Sequence, residues 1–135
     1  MANQIYPSNG LIYQLTQIVS GSPVLGLFTN NYTITDASLF SNLTEAGWTS
    51  YARITLTSGN WVSLGVAGGI GTIAYPTCTF TNGSVAAVTT YGYFILDPTS
   101  TYLLAAGNFA GAPITLAASG GTYSFIPTWA DKSQY

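Results

Sequence analysis

The stretch IAYPTCTFTNGSVAAVTTYGYFIL, residues 73–96, decides the fold class. It is dense in β-branched and aromatic residues, and Asn82–Gly83 stands between its two halves. Both residues of that pair tolerate positive φ, which makes Asn-Gly the strongest short hairpin signal. We therefore read Ile73–Thr81 as one strand, with Pro76 marking a bulge or an edge, and Val85–Leu96 as the strand that returns. On the return strand Tyr91, Tyr93 and Ile95 fall on one face, Phe94 and Leu96 on the other.

The same grammar extends both ways. Upstream, Val24–Phe28 reads as a strand followed by a turn or bend at Asn30–Asn31. Ala52–Leu56 alternates with Ala52, Ile54 and Leu56 inward, and Ser58–Asn60 turns the chain into a strand opening at Trp61–Leu64. Gly65–Thr72 holds four glycines, too many for a firm element, and is read as a loop. Downstream, Asp97–Ser100 is a turn, Thr101–Phe109 and Ile114–Ala117 are strands divided by Gly111–Pro113, and Ser119–Gly121 precedes a last strand, Thr122–Trp129. About eight short strands at even spacing predict an all-β fold, an antiparallel β-sandwich of jelly-roll type.

Helical period appears at the N-terminus. Leu11, Ile12, Leu15, Ile18 and Val19 share one face of a short helix over Gly10–Val19, with Ser8 or Asn9 as cap and Gly21 past its end. Thr35–Asp36 is placed to cap one or two turns carrying Leu39, Phe40 and Leu43. No linker or composition shift divides the chain. It reads as a single domain over 1–135: an N-terminal arm and helix over 1–22, a β core over 23–129 and a tail over 130–135.

Charge is nearly absent. Arg53, Lys132, Asp36, Glu45, Asp97 and Asp131 are the only charged side chains, 4% of the chain against about 25% in ordinary soluble proteins. Two cations cannot neutralise a run of phosphates, so nucleic acid is not an expected partner. Disorder is not expected either, because disordered chains are charge-rich and aromatic-poor. Solubility falls to hydroxyls and amides, a surface suited to a subunit packed against copies of itself or a larger body.

Catalytic and metal chemistry find little material. There is no histidine, so the usual activation of a Ser or Cys nucleophile is missing, and no spacing aims two of the four carboxylates at each other. An enzymatic role is not expected, nor a cofactor. Cys78 stands alone and is read as a small buried apolar residue; with no His/Cys cluster and no Asp-x-Asp-x-Asp run, no metal site is expected. Residues 1–5 show no basic, apolar leader, and the glycines between Trp61 and Tyr75 break any membrane helix, so no membrane partner is expected. The triplets at Asn31, Asn42 and Asn82 that match a glycosylation acceptor are read as chance.

Two groups of residues remain. Glu45 and Arg53 form a candidate structural ion pair that would fix the Thr44–Gly47 loop against the Tyr51–Leu56 strand. Among the aromatics, Trp61 and Phe94 lie on strand-like runs and are expected in the core. Trp48, beside Gly47, and Trp129, near the tail, are candidate contact residues.

The residues also carry a resemblance. Leu27–Phe28–Thr29–Asn30–Asn31–Tyr32–Thr33–Ile34–Thr35–Asp36–Ala37, then Leu43–Thr44–Glu45–Ala46 and Gly47–Trp48–Thr49–Ser50–Tyr51–Ala52, resemble a pattern LF-x-NN-x-TPTDA … FTEA … GYA in small structural proteins of tailed bacteriophages. Tyr91–Gly92–Tyr93–Phe94–Ile95–Leu96–Asp97, with Leu103–Leu104–Ala105 and Phe109, is similar to their VYGYFVTD … TLLWAERF. Two departures stand out: Ile34 replaces the family's Pro, and Ala105–Ala106–Gly107–Asn108 replaces its charged WAER run.

The resemblance implies a virion protein that decorates or cements the capsid by bridging coat subunits. Its partners would be the major capsid protein and copies of itself, with a trimer the natural geometry at local threefold positions. It would lie on the capsid surface, and in the host cytoplasm during assembly. Met1–Pro7 and Trp129–Tyr135 would serve as arms; together with Trp48 of the Gly-flanked loop this gives Ile5, Tyr6, Trp48, Trp129 and Tyr135 as candidate interface residues. The alternative is a tail- or fibre-associated protein that binds host-surface carbohydrate through exposed aromatics. A small transmembrane β-barrel would need longer strands and an outer-membrane route.

Overall fold

The computed structural model describes residues 7–132. The fold is all-β, as the alternation predicts: antiparallel sheets with one short N-terminal helix, consistent with a β-sandwich. Helix α1 is Ser8–Val19. The strands are β1 Val24–Phe28, β2 Ile54–Thr55, β3 Val62–Ala67, β4 Ile70–Ala74, β5 Cys78–Asn82, β6 Val88–Thr90, β7 Gly92–Leu96, β8 Leu103–Asn108, β9 Ile114–Leu116, β10 Gly121–Phe125 and β11 Thr128–Lys132. The sheet orders are β2-β1-β7-β8, β11-β4-β3, β10-β5 and β6-β9.

The chain forms two compact units. One collects α1, β3, β4 and β11; the other holds β1, β2 and β6–β9, with most of β5 and β10. In the first, α1 lays Leu15 and Val19 on Ile73 of β4, and Ile12, Trp61 and Trp129 pack around them. The helix starts earlier than the periodicity indicates. Pro7, at φ −60°, supplies the entry in place of a side-chain cap, and its carbonyl accepts the Leu11 N–H. In the second unit Phe28, Leu43, Phe94 and Leu96 form the buried cluster.

Several element boundaries differ from the sequence reading, each for a physical reason. The Gly-rich 65–72 segment is a hairpin, not a loop. Gly68 and Gly69 both take positive φ, the geometry of a two-residue strand connection, and Gly65 sits at a bulge in the β3–β4 register. Conversely, Asn82–Gly83 makes no hairpin. Neither residue has positive φ, β5 pairs with β10, β6 pairs with β9, and β7 lies between β1 and β8.

Asn82 is fully buried instead, its amide donating to the carbonyls of Ala86 and Ala117 at 2.9 and 3.1 Å while its Oδ1 accepts the Ser84 N–H. Gly83 is needed for close approach, since a Cβ there would stand 2.3 Å from Ser50 Oγ.

The Ile73–Thr81 strand is cut at Tyr75–Thr77, and the Thr122–Trp129 run is likewise two strands, with β10 beside β5 and β11 beside β4. Phe94, Ile95 and Leu96 are all buried, so β7 does not present the one-sided alternation read from it. Ala52 is exposed and lies outside β2, although Leu56 is buried. The Thr35–Asp36 helix reduces to a single 3₁₀ turn, Phe40–Asn42, capped by Asn42 Oδ1 accepting the Leu39 N–H at 2.8 Å.

Candidate functional site

The second unit is organised around an exposed-edge problem on β1. Its outer edge is covered by β2 only at Val24 and Leu25. Farther along, the Thr44–Ala46 segment takes over: Thr29 N–H donates to Thr44 O at 2.8 Å, Ala46 N–H donates to Leu27 O at 2.9 Å, and Glu45 bridges Phe28. The Leu27 N–H falls between the two covers. The Tyr51 hydroxyl accepts it at 3.1 Å and donates in turn to Glu45 Oε1 at 3.0 Å.

Glu45 and Arg53, the pair singled out in the sequence, meet here. Arg53 Nε donates to Oε1 and Nη2 to Oε2, both at 2.8 Å, a forked arrangement that sets orientation as well as distance. Arg53 Nη1 donates to Ser100 Oγ at 2.9 Å. The guanidinium also sits 5.7 Å from the Phe40 ring centre and 5.8 Å from that of Phe94, within cation–π reach. One arginine thus ties together the Thr44–Ala46 segment, the 3₁₀ turn, β7 and the turn before β8.

The surroundings set the titration of these groups. The Arg53 hydrogen bonds hold the Glu45 carboxyl below the usual carboxylate range, overriding desolvation, with Tyr51 adding to the effect. Burial pushes the Tyr51 phenol up, and the neighbouring Glu45 charge pushes it further. The Glu45 bonds raise Arg53 in turn. Glu45 is therefore an ionised, three-times-bonded acceptor and Tyr51 a neutral donor across the neutral pH range, a combination that clamps backbone.

Asp97 is similarly committed. Its carboxylate accepts the Thr99 hydroxyl and the N–H groups of Thr99, Thr101 and Tyr102, closing the turn before β8. The Thr99 hydroxyl is the main reason its pKa is lowered. Cys78 is a buried free thiol pushed up by desolvation. Among the described residues, no three of His, Cys, Asp and Glu come together as metal ligands would. Among the described residues no helix is long and apolar enough to cross a membrane.

The candidate contact residues divide three ways. Ile5, Tyr6 and Tyr135 lie outside the described residues. Trp48 is half-buried; its indole N–H donates to Thr81 O at 3.0 Å and its ring meets Tyr51 edge-on. Trp129, also half-buried, packs beside Trp61 in the helix cluster. The exposed large apolar residues are others, among them Tyr13, Leu39, Leu64, Val85, Tyr102 and Ile126. They escape sequence reading because an exposed apolar residue on a short element has the same local pattern as a buried one.

Grooves mark the surface of the described residues. One of about 570 Å³ lies between α1 and β3. Two others lie in the second unit, on either side of Ser38 and Leu103: about 450 Å³ between the 3₁₀ turn and residues 101–103, and about 250 Å³ between residues 34–38 and 103–106. No protein-family model, curated protein or solved structure matches the chain.

Proposed function

We propose that this chain is a structural protein of a tailed-bacteriophage particle, one that decorates or cements the capsid by bridging coat subunits. The observation that carries the reading is where the charges go. Glu45, Arg53 and Asp97, half of the charged side chains, are spent on internal clamps, while large apolar side chains such as Leu39, Leu64 and Val85 stay in solvent, Val85 at 94% exposure. A surface of hydroxyls, amides and exposed apolar groups is one that a lasting partner would cover. The sequence resemblance to small phage structural proteins supports the same role, as does a fold whose segments are tied together by internal polar clamps. Many modest contacts repeated over a shell hold through avidity, without a strong single site.

The test is direct. Purified protein added to expanded, undecorated capsids of its phage should bind at a fixed number of copies per shell and raise the temperature at which the shells break. Shells that take up no protein, or that gain no resistance from it, would overturn the reading.

A further inference from the structure

β8 is the last strand of its sheet, and no described strand pairs with its outer edge. The direction of its backbone groups follows from β1. Leu27 turns its N–H and C=O away from β7, toward Tyr51 and Ala46. Backbone groups alternate along an antiparallel ladder, so Gly26 and Phe28 bond to β7, and Tyr93 and Ile95 of β7 bond to their β8 partners, Gly107 and Ala105. Ala106, between those partners, therefore points its N–H and C=O outward. Leu104 is skipped where the register steps from Ile95↔Ala105 to Leu96↔Leu103, which leaves it without a place in the ladder. Outside the strand ladders, no hydrogen bond joins the backbone of Leu104 or Ala106 to another described residue.

These groups open into the 250 Å³ slot, whose far wall is the 34–38 segment. That segment is tied to β8 through a side chain: Asn108 accepts the Ile34 N–H on Oδ1 at 2.9 Å and donates from Nδ2 to Tyr32 O at 2.7 Å. The tie is a side chain, so the edge stays open where a backbone pairing would have closed it. β8 itself carries no charged residue and no proline, the usual devices that blunt an edge. The one charge on the slot is the exposed carboxylate of Asp36.

We infer that this slot receives an extended segment of a partner protein, which adds as a strand to β8 through the backbone of Leu104 and Ala106 and places one Lys or Arg against Asp36. The mode is strand addition, where main-chain bonds give affinity and alternate side chains give specificity. Charge complementarity picks the occupant: an otherwise uncharged segment with a single cation matches a neutral edge facing a lone carboxylate. The inference stands apart from the capsid reading, since an edge of this kind would serve a partner of any origin.

The probe is the peptide acetyl-Thr-Val-Lys-Val-Thr-amide, titrated to millimolar concentration into the isotope-labelled full chain. The amides of Leu104 and Ala106 should shift and lose their fast hydrogen exchange, while that of Ala105, already bonded to β7, should stay protected throughout. Replacing the peptide's Lys by Thr, or Asp36→Asn in the protein, should weaken binding about three- to tenfold, and the two changes together no further. Ala106→Pro removes only an outward N–H, so the ladder is kept and binding should fall about tenfold or more. Absence of any shift, shifts confined to the α1–β3 groove, or equal affinity for the Lys and Thr peptides would overturn the inference. The wild-type amide map decides the matter by itself if Ala106→Pro does not fold.

Discussion

The two units reach order by different means. The α1–β3–β4–β11 unit is a helix on a small sheet, closed by Leu15, Val19 and Ile73 with two tryptophans around them. The β1–β7 unit has an apolar cluster too, but its distinguishing part is polar: Glu45, Tyr51 and Arg53 finishing an incomplete strand edge. Apolar packing tolerates exchange of similar shapes, whereas a polar hub fixes register and fails as a group. The difference teaches where this chain spends two of its six charges: at a β1 edge where the Leu27 N–H would otherwise lack a partner.

The contrast breaks most visibly by overfilling or emptying each unit. Gly26→Ala puts a methyl 2.3 Å from Phe94 Cζ and 2.6 Å from the Tyr51 hydroxyl, so it strikes the apolar cluster and the hub at once. We expect a loss of about 3 kcal/mol or more in chemical denaturation. Leu15→Ala in the helix unit should cost about 3 kcal/mol by leaving a cavity. If the units are separately cooperative, the first variant should leave hydrogen-exchange protection in β4 intact and the second should leave it intact in β7. Uniform loss in both would show one cooperative block.

Breaking the pair is the next largest effect. Glu45→Gln leaves a half-buried guanidinium with a weaker acceptor and should cost about 2 kcal/mol. The double change Glu45→Gln with Arg53→Met should cost less than the sum of the single changes, a coupling that a pair of independent surface charges would not show.

Acid should reach the two units unequally. The folded state holds Glu45 below its ordinary pKa, so the stability it contributes is present above the unfolded-state value and is lost as pH falls through the folded one. Thermal melts below about pH 4 should therefore show wild type converging on Glu45→Gln, with β7 protection lost before that of β4. The smallest expected effect is Tyr51→Phe, about 1 kcal/mol, with faster exchange confined to the Leu27 amide.

How much of this was legible in the sequence depends on distance along the chain. Alternation and turn residues located β1 to the residue and most of the strand-forming runs, because those are local preferences. Pairing was not legible: Asn82–Gly83 has the local chemistry of a hairpin, yet the buried amide bonds to nearby Ala86 and to Ala117, 35 residues away, and the flanking strands find other partners. Glycine misled in the opposite direction at 65–72, where φ signs rather than glycine count decide between loop and hairpin. The Glu45–Arg53 pair was readable because charge is so scarce. Tyr51 was not, since one tyrosine among ten carries no local mark of an unpaired N–H 24 residues away.

The most direct measurement of the proposed role is an image reconstruction of the intact virion at a resolution that resolves side chains. The account predicts density for this chain on the outer face of the shell, repeated at each equivalent junction between coat subunits, with exposed residues such as Leu64 or Val85 covered by protein. Density confined to the tail or its fibres, or particles that lack the chain altogether, would contradict it.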